Sequence, residues 1–146
     1  MSRAFVFVYA PLLFALTLTA ALAADIGRVK NVAGPVHIER GAQRIAVRVD
    51  TVVQANDTVV TGEDASVGVT FADDTRVSAG PNSTLVMNRY AFDPTTHAGV
   101  MDATLRRGTL GVVSGRLAKR SADAVTVRTP TLILGVRGTE FLVAAE

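Results

Sequence analysis

Two histidines, His37 and His97, are the only imidazoles available as general bases, and the chain has no cysteine to act as nucleophile, disulfide partner or thiolate ligand. Hydrolysis by a side-chain nucleophile needs a base beside it and a third group to orient that base. Gly111-Val112-Val113-Ser114-Gly115 comes near the G-x-S-x-G nucleophile elbow, but its first glycine stands one position too early for that strained turn. For metals, two histidines so far apart are a poor start for zinc. Asp50, Asp57, Glu63, Asp64, Asp73 and Asp74 form an acidic run without a base, which raises calcium. The run lacks the D-x-[DN]-x-[DN]-G spacing, and acids at turns are ordinarily solvated. Gly108-Thr109-Leu110-Gly111 is no phosphate-binding loop. The inventory points to no catalytic centre, no metal and no cofactor.

Two features point instead to binding. Tyr90 and Phe92 share a strand face and would serve either as a small sugar platform or as cover for a core. The C-terminal third is basic, with Arg106, Arg107, Arg116, Lys119, Arg120, Arg128 and Arg137. Arg116, Lys119 and Arg120 would either face an anionic polymer or acidic protein, or lie on a solvated hairpin. With Tyr90 and Phe92 they make the candidate interaction surface. Nucleic acid is not favoured: the net charge is +2, and beyond residue 24 the only aromatics are Phe71, Tyr90, Phe92 and Phe141.

The elements that must position these groups read as strands. From Ala24 onward there are 20 Val, 14 Thr and 4 Ile against 7 Leu, 4 Glu and 2 Lys, a composition rich in residues that pack on a pleated surface. Val67, Val69 and Phe71 alternate with Ser66, Gly68 and Thr70, and Val77 and Ala79 resume the pattern after a turn at Asp73-Asp74. Ile45, Val47 and Val49 alternate with Arg44, Ala46 and Arg48, as do Val125 and Val127 with Thr126 and Arg128. Gly, Asn, Asp and Pro punctuate the chain at Gly34-Pro35, Asn56-Asp57, Gly80-Pro81-Asn82, Asp93-Pro94, Gly108, Gly115 and Pro130, among other places. The expectation is an all-β domain of about eleven or twelve short strands, solenoid-like or sandwich-like, with little helix.

Ahead of it, Arg3 is followed by 21 uncharged residues, Ala4 to Ala24, and Ala21-Leu22-Ala23 fits the A-x-A cleavage rule. Residues 1–23 are expected to be a signal peptide and residues 24–146 a single domain. An uncleaved leader, long enough to span a hydrocarbon core of about 30 Å, would be the only membrane contact. Either way the domain is expected outside the cytoplasm, in the periplasm or cell envelope.

From Gly27 to Val143 the chain resembles the FecR domain of periplasmic regulators. The most specific part is Val127-Arg128-Thr129-Pro130-Thr131 followed by Leu134-Gly135-Val136-Arg137-Gly138-Thr139-Glu140-Phe141, similar to the family's "TP…GVRGTEF" signature. Weaker supports are Asn56 to Gly62, the hairpin Phe71-Ala72-Asp73-Asp74-Thr75, and Pro81 to Leu85. Asp74 stands where the family commonly has Gly. Family regulators of sigma factors carry a cytoplasmic segment before a membrane helix and a receptor-contacting C-terminal segment. Here three residues precede the apolar run and five follow Phe141, so the known circuit is not expected intact.

The signature residues Thr129, Pro130, Gly135, Arg137, Gly138, Thr139 and Phe141 read as mainly structural. Pro130 would end a strand or sit at an edge, and Gly135 and Gly138 would allow a bulge or close approach. Arg137 would bridge carbonyls or a carboxylate such as Glu140. The resulting expectation is a non-enzymatic, exported interaction or signalling module with an envelope protein as partner. The alternative is an envelope glycan- or small-ligand-binding protein.

Overall fold

Branched, alternating segments pair into strands because each can bury one face and hydrogen-bond both edges. A computed structural model describes Ala4, residues 24–136 and residues 140–146. It begins with β1 (Asp25–Ala33), β2 (Val36–Arg40), β3 (Gln43–Ala46), β4 (Val52–Gln54), β5 (Thr58–Thr61), β6 (Ser66–Phe71) and β7 (Arg76–Ala79). There follow β8 (Thr84–Phe92), β9 (Gly99–Val113), helix α1 (Arg116–Arg120), β10 (Val125–Arg128), β11 (Ile133–Gly135) and β12 (Glu140–Ala145). Of the described residues 60% are in strands and 4% in helix, as an all-β reading requires. The expected leader falls, Ala4 apart, outside the described residues. Among the described residues no helix is long and apolar enough to cross a membrane.

The strands form one curled antiparallel sheet, a half-barrel, in the order β3-β2-β5-β8-β9-β7-β6-β1-β4, with β10, β11 and β12 attached beside that path. Stacked solenoid coils would require parallel ladders throughout. Among the described strands only β10 runs parallel to its neighbour, β9. Antiparallel pairing therefore overrides the solenoid-like expectation.

The 15 residues of β9 are the spine of the sheet. Its first part pairs with β8 and, at Met101 to Thr104, with β10. Its last part pairs with β7 and β12. The exchange of neighbours falls at Gly108, where the sequence suggested a turn. The strand instead bends and continues: Arg106 is an extra residue between the pairs Thr84↔Arg107 and Leu85↔Leu105, and Gly108 has φ +96°. A Cβ at Gly108 would overlap Ser83.

Inside the curl, Val67, Val69, Phe71, Val77, Ala79, Val125 and Val127 are buried, as their alternation implies. Met87, Met101, Leu105, Leu110 and Val112 fill the middle of the same cluster. Two readings need correction. Val49 is 56% exposed because β3 ends at Ala46 and a turn closed by Thr51 N to Arg48 O (3.1 Å) lifts it off the sheet. The segment Arg116 to Arg120 is the helix α1, not a hairpin, and its Leu117 is fully buried.

Two glycines at positive φ test the corner. Gly41 has φ +59° with nothing within 4 Å of an added Cβ, whereas Gly108 combines strain with overlap. Gly41→Ala is expected to cost about 1 kcal/mol and Gly108→Ala clearly more. Equal shifts of the urea midpoint for the two variants would refute the corner's role.

Candidate functional site

The β6–β7 hairpin turns at Ala72 to Thr75, with Asp74 in the left-handed region at φ +69°. This is the conformation that Gly adopts freely and Asp tolerates better than most residues. The turn drives Asp73 inward, where it is fully buried. Its carboxylate accepts from the Tyr90 hydroxyl (2.8 Å), the Thr75 hydroxyl (2.5 Å) and the backbone N–H of Leu117 (3.1 Å). Its own N–H donates to the Tyr90 oxygen (3.0 Å), and its carbonyl accepts from Arg116 N–H (2.8 Å). A carboxylate from a distant hairpin thus caps α1, which has no side-chain cap of its own. Gly115 permits this approach, since a Cβ there would overlap the backbone of Asp73 and Thr75.

Burial, followed by the hydrogen bond and negative charge of Asp73, pushes the Tyr90 phenol well above its ordinary value. Its ring stacks on Phe71 with centroids 5.6 Å apart. Phe92 stacks on His97 at 5.9 Å and lies beneath the Arg116 guanidinium at 5.2 Å. Tyr90, Phe92 and Arg116 do come together, but the rings serve as packing and cation–π support rather than as an open sugar platform.

Outside this hub lies a groove of about 450 Å³ lined by Thr70, Asp74, Arg76, Gly115, Arg116 and Lys119 among others. Arg116 Nη2 pairs with Asp74 Oδ2 at 3.0 Å. Its Nε is buried and, among the described residues, has no hydrogen-bond partner. Arg120 is exposed at the end of α1 and does not line the groove. A second hollow of about 260 Å³ holds Asp25, Arg28 and Lys30 and shares Thr70 with the first.

The remaining candidates are dispersed. Asp57 is fully buried and gripped by Arg40, Nε to Oδ1 at 2.9 Å and Nη2 to Oδ2 at 2.8 Å, with Gln54 N–H adding a third bond at 2.8 Å. That hydrogen-bonded pairing holds the Arg40 guanidinium above even its high ordinary value. His37 lies between Glu39 and Arg44, each at 3.3 Å. Among the described residues no three His, Asp or Glu side chains are grouped as a metal site needs, and the acidic run is scattered over separate turns and ion pairs.

In the signature, the Thr129 hydroxyl accepts from Leu132 N–H (3.0 Å) in the turn that holds Pro130 between β10 and β11. Gly135 makes no close approach, since an added Cβ would meet only Ala122 O at 4.0 Å. Phe141 packs partly buried against the core from β12. Arg137, Gly138 and Thr139, and hence the Arg137–Glu140 bridge, lie outside the described residues.

Sequence reasoning missed Arg28, Lys30 and Arg76 as groove residues. The alternation around Thr70 and Val77 shows that Arg76 faces outward, but cross-strand register decides what stands beside it.

Tyr90 offers a direct test. The folded state holds it neutral, so this contribution to stability is complete below a pH of about 10 and is lost as pH rises through the elevated folded value. The chain has two tyrosines, and in a Tyr9→Phe variant Tyr90 alone reports. Its tyrosinate absorbance should appear only well above pH 10, together with unfolding. Ionisation near pH 10 in the folded protein would contradict the buried hydrogen bond. Asp73→Asn, which points an amide at donors, should cost roughly 1–3 kcal/mol in urea unfolding.

No curated protein and no solved structure matches the chain. The family model described as FecR protein matches residues 57–146, from the buried Asp57 through β12. That stretch is more than half of the 146 residues, and it contains the Asp73 hub, the groove and the whole signature; the chain belongs to the FecR family.

Proposed function

We propose that this protein is a non-enzymatic FecR-domain module of the bacterial periplasm or cell envelope that binds a protein partner along a strand edge. Family membership supports a signalling or regulatory role. The observation that carries the mode of binding is β11. Among the described residues it pairs only with β10, and beside that edge Leu132 and Ile133 are 55% and 67% exposed. An edge with unpaired backbone groups and bare apolar side chains is a template for an incoming strand. The edge at β3 is different, because it carries Gln43 and Arg44 in exposed positions that blunt pairing.

The chemistry of the interior supports a binding role over catalysis. Asp57 and Asp73, the most deeply buried acids, are each consumed by three or more hydrogen bonds that tie strands together. A carboxylate so occupied is scaffolding rather than a poised acid or base. Export rests on the basic, apolar and small-residue pattern of residues 1–23.

Site-specific photocrosslinking in cells tests the edge. A photoreactive residue at Ile133 is expected to give a discrete protein adduct, while one at Ala91, exposed on β8, gives none. Ile133→Lys should abolish function with the folded spectrum retained. Identical adduct patterns at the two positions, or full function in Ile133→Lys, would count against strand addition.

A further inference from the structure

We propose that the groove between β7 and α1 is a binding site for a phosphate-bearing ligand, with a second anion subsite in the adjoining hollow on β1. The inference is independent of the β11 edge, which lies on other strands.

Three cations, Arg76, Arg116 and Lys119, converge on the groove, and a single carboxylate, Asp74, stands among them. The surplus is two positive charges. A phosphate monoester carries about −1.5 to −2 at neutral pH and would match it, whereas a carboxylate would leave one cation unpaired. Arginine forks suit the tetrahedral oxygens, and Lys119 adds a mobile point charge. Arg116 is already placed: Phe92 supports its guanidinium at 5.2 Å and Asp74 holds Nη2 at 3.0 Å. A preorganised cation loses little freedom when an anion arrives. Stacking on a sugar or base plays no part, since Phe92 is covered by Arg116 and Tyr90 is committed to Asp73.

The register extends the site. Arg28 stands opposite Thr70, and Thr70 opposite Arg76, so both arginines lie in one row two strands apart. At the usual strand spacing this is about 10 Å. Lys30 joins Arg28 in the hollow, against Asp25. Two positive lobes at that separation, bridged by the Thr70 position, fit a ligand with more than one phosphate. Free polyphosphorylated compounds and the phosphates of a lipid headgroup share this chemistry.

The full chain, titrated calorimetrically with sodium tripolyphosphate at low salt, should bind with an affinity that falls linearly on a log–log plot against salt. Arg76→Gln with Lys119→Gln removes two exposed charges without touching the core and should weaken binding roughly tenfold or more. Asp74→Asn keeps a residue suited to positive φ and an amide oxygen that can still accept from Arg116 Nη2, so it removes the competing negative charge without releasing the guanidinium and should tighten binding, a gain that misfolding cannot produce. Cosedimentation with phosphatidylcholine vesicles, with and without phosphatidic acid, separates the sources. Binding that requires phosphatidic acid and is lost in the double variant identifies the headgroup; tripolyphosphate binding without it identifies a free ligand. Binding to neither probe, a double variant that binds like wild type, or weaker binding by Asp74→Asn would overturn the site.

Discussion

One strand, β9, has to serve both halves of the sheet, and the bend at Gly108 is what lets it. Before the bend its hydrogen bonds go to β8 and β10, and after it to β7 and β12. A straight strand of that length would keep the same neighbours and leave one apolar face of a flat sheet uncovered. The extra residue at Arg106 increases the local twist, and the positive φ of Gly108 completes the turn of the curl. Ser83 fixes the corner from the other side, its Oγ accepting from Thr109 N–H at 3.0 Å while its N–H donates to Thr61 Oγ1 at 2.8 Å. The direction in which β9 leaves this corner places Val113 to Gly115, and therefore one wall of the groove.

A core built largely from valine and short of aromatic rings packs well but has few shapes that fix one register. Buried polar groups supply that missing specificity here. Asp57 ties the β4–β5 turn to Arg40 at the end of β2; Asp73 ties the β6–β7 turn to β8 and α1; Ser83 and Thr61 tie β5 and the β7–β8 turn to β9. Asp57, Asp73 and Ser83 each sit in a turn between short strands, where a loop would otherwise be free to slip. Each is also fully satisfied, the condition under which buried polar groups specify a fold rather than weaken it. The segments Asn56 to Gly62, Phe71 to Thr75 and Pro81 to Leu85, which carry the family resemblance outside the signature, are the segments that hold these pins. The resemblance is therefore a resemblance of fastening points.

Period-two alternation made the buried faces of β6, β7 and β10 legible, because burial of every second side chain is written directly into residue type. Gly108 was legible only as a glycine. Whether a lone glycine ends a strand or bends it depends on the two strands that flank it, and the sequence carries no sign of them. Helix α1 was hidden because five residues are too few to show a 3.6-residue period, and its cap comes from Asp73 more than forty positions earlier. The groove was half visible: Arg116 and Lys119 lie in the basic stretch, whereas Arg28 and Arg76 join them only through pairings of β1, β6 and β7. Phe92 lies beneath Arg116, and residue type alone does not say whether a ring faces water or is roofed by an arginine.

Asp74 raises the sharpest question of cause. Glycine, the commoner residue at this turn in the resembling family, would adopt φ +69° without strain, so an aspartate here costs stability. Its ion pair with Arg116 is open to water, with the carboxylate 71% exposed, and pairs of that kind return about 0–1 kcal/mol. Folding stability alone therefore gives little reason for the aspartate. What the pair does accomplish is to hold the guanidinium over Phe92 and at the mouth of a groove lined by two further cations. Backbone strain that is not repaid in stability is found where a side chain must be held in place for an encounter. At Asp74 the strained residue, the cation it holds and the groove coincide, and the turn that buries Asp73 to build the fold is the same turn that presents Asp74 to the surface.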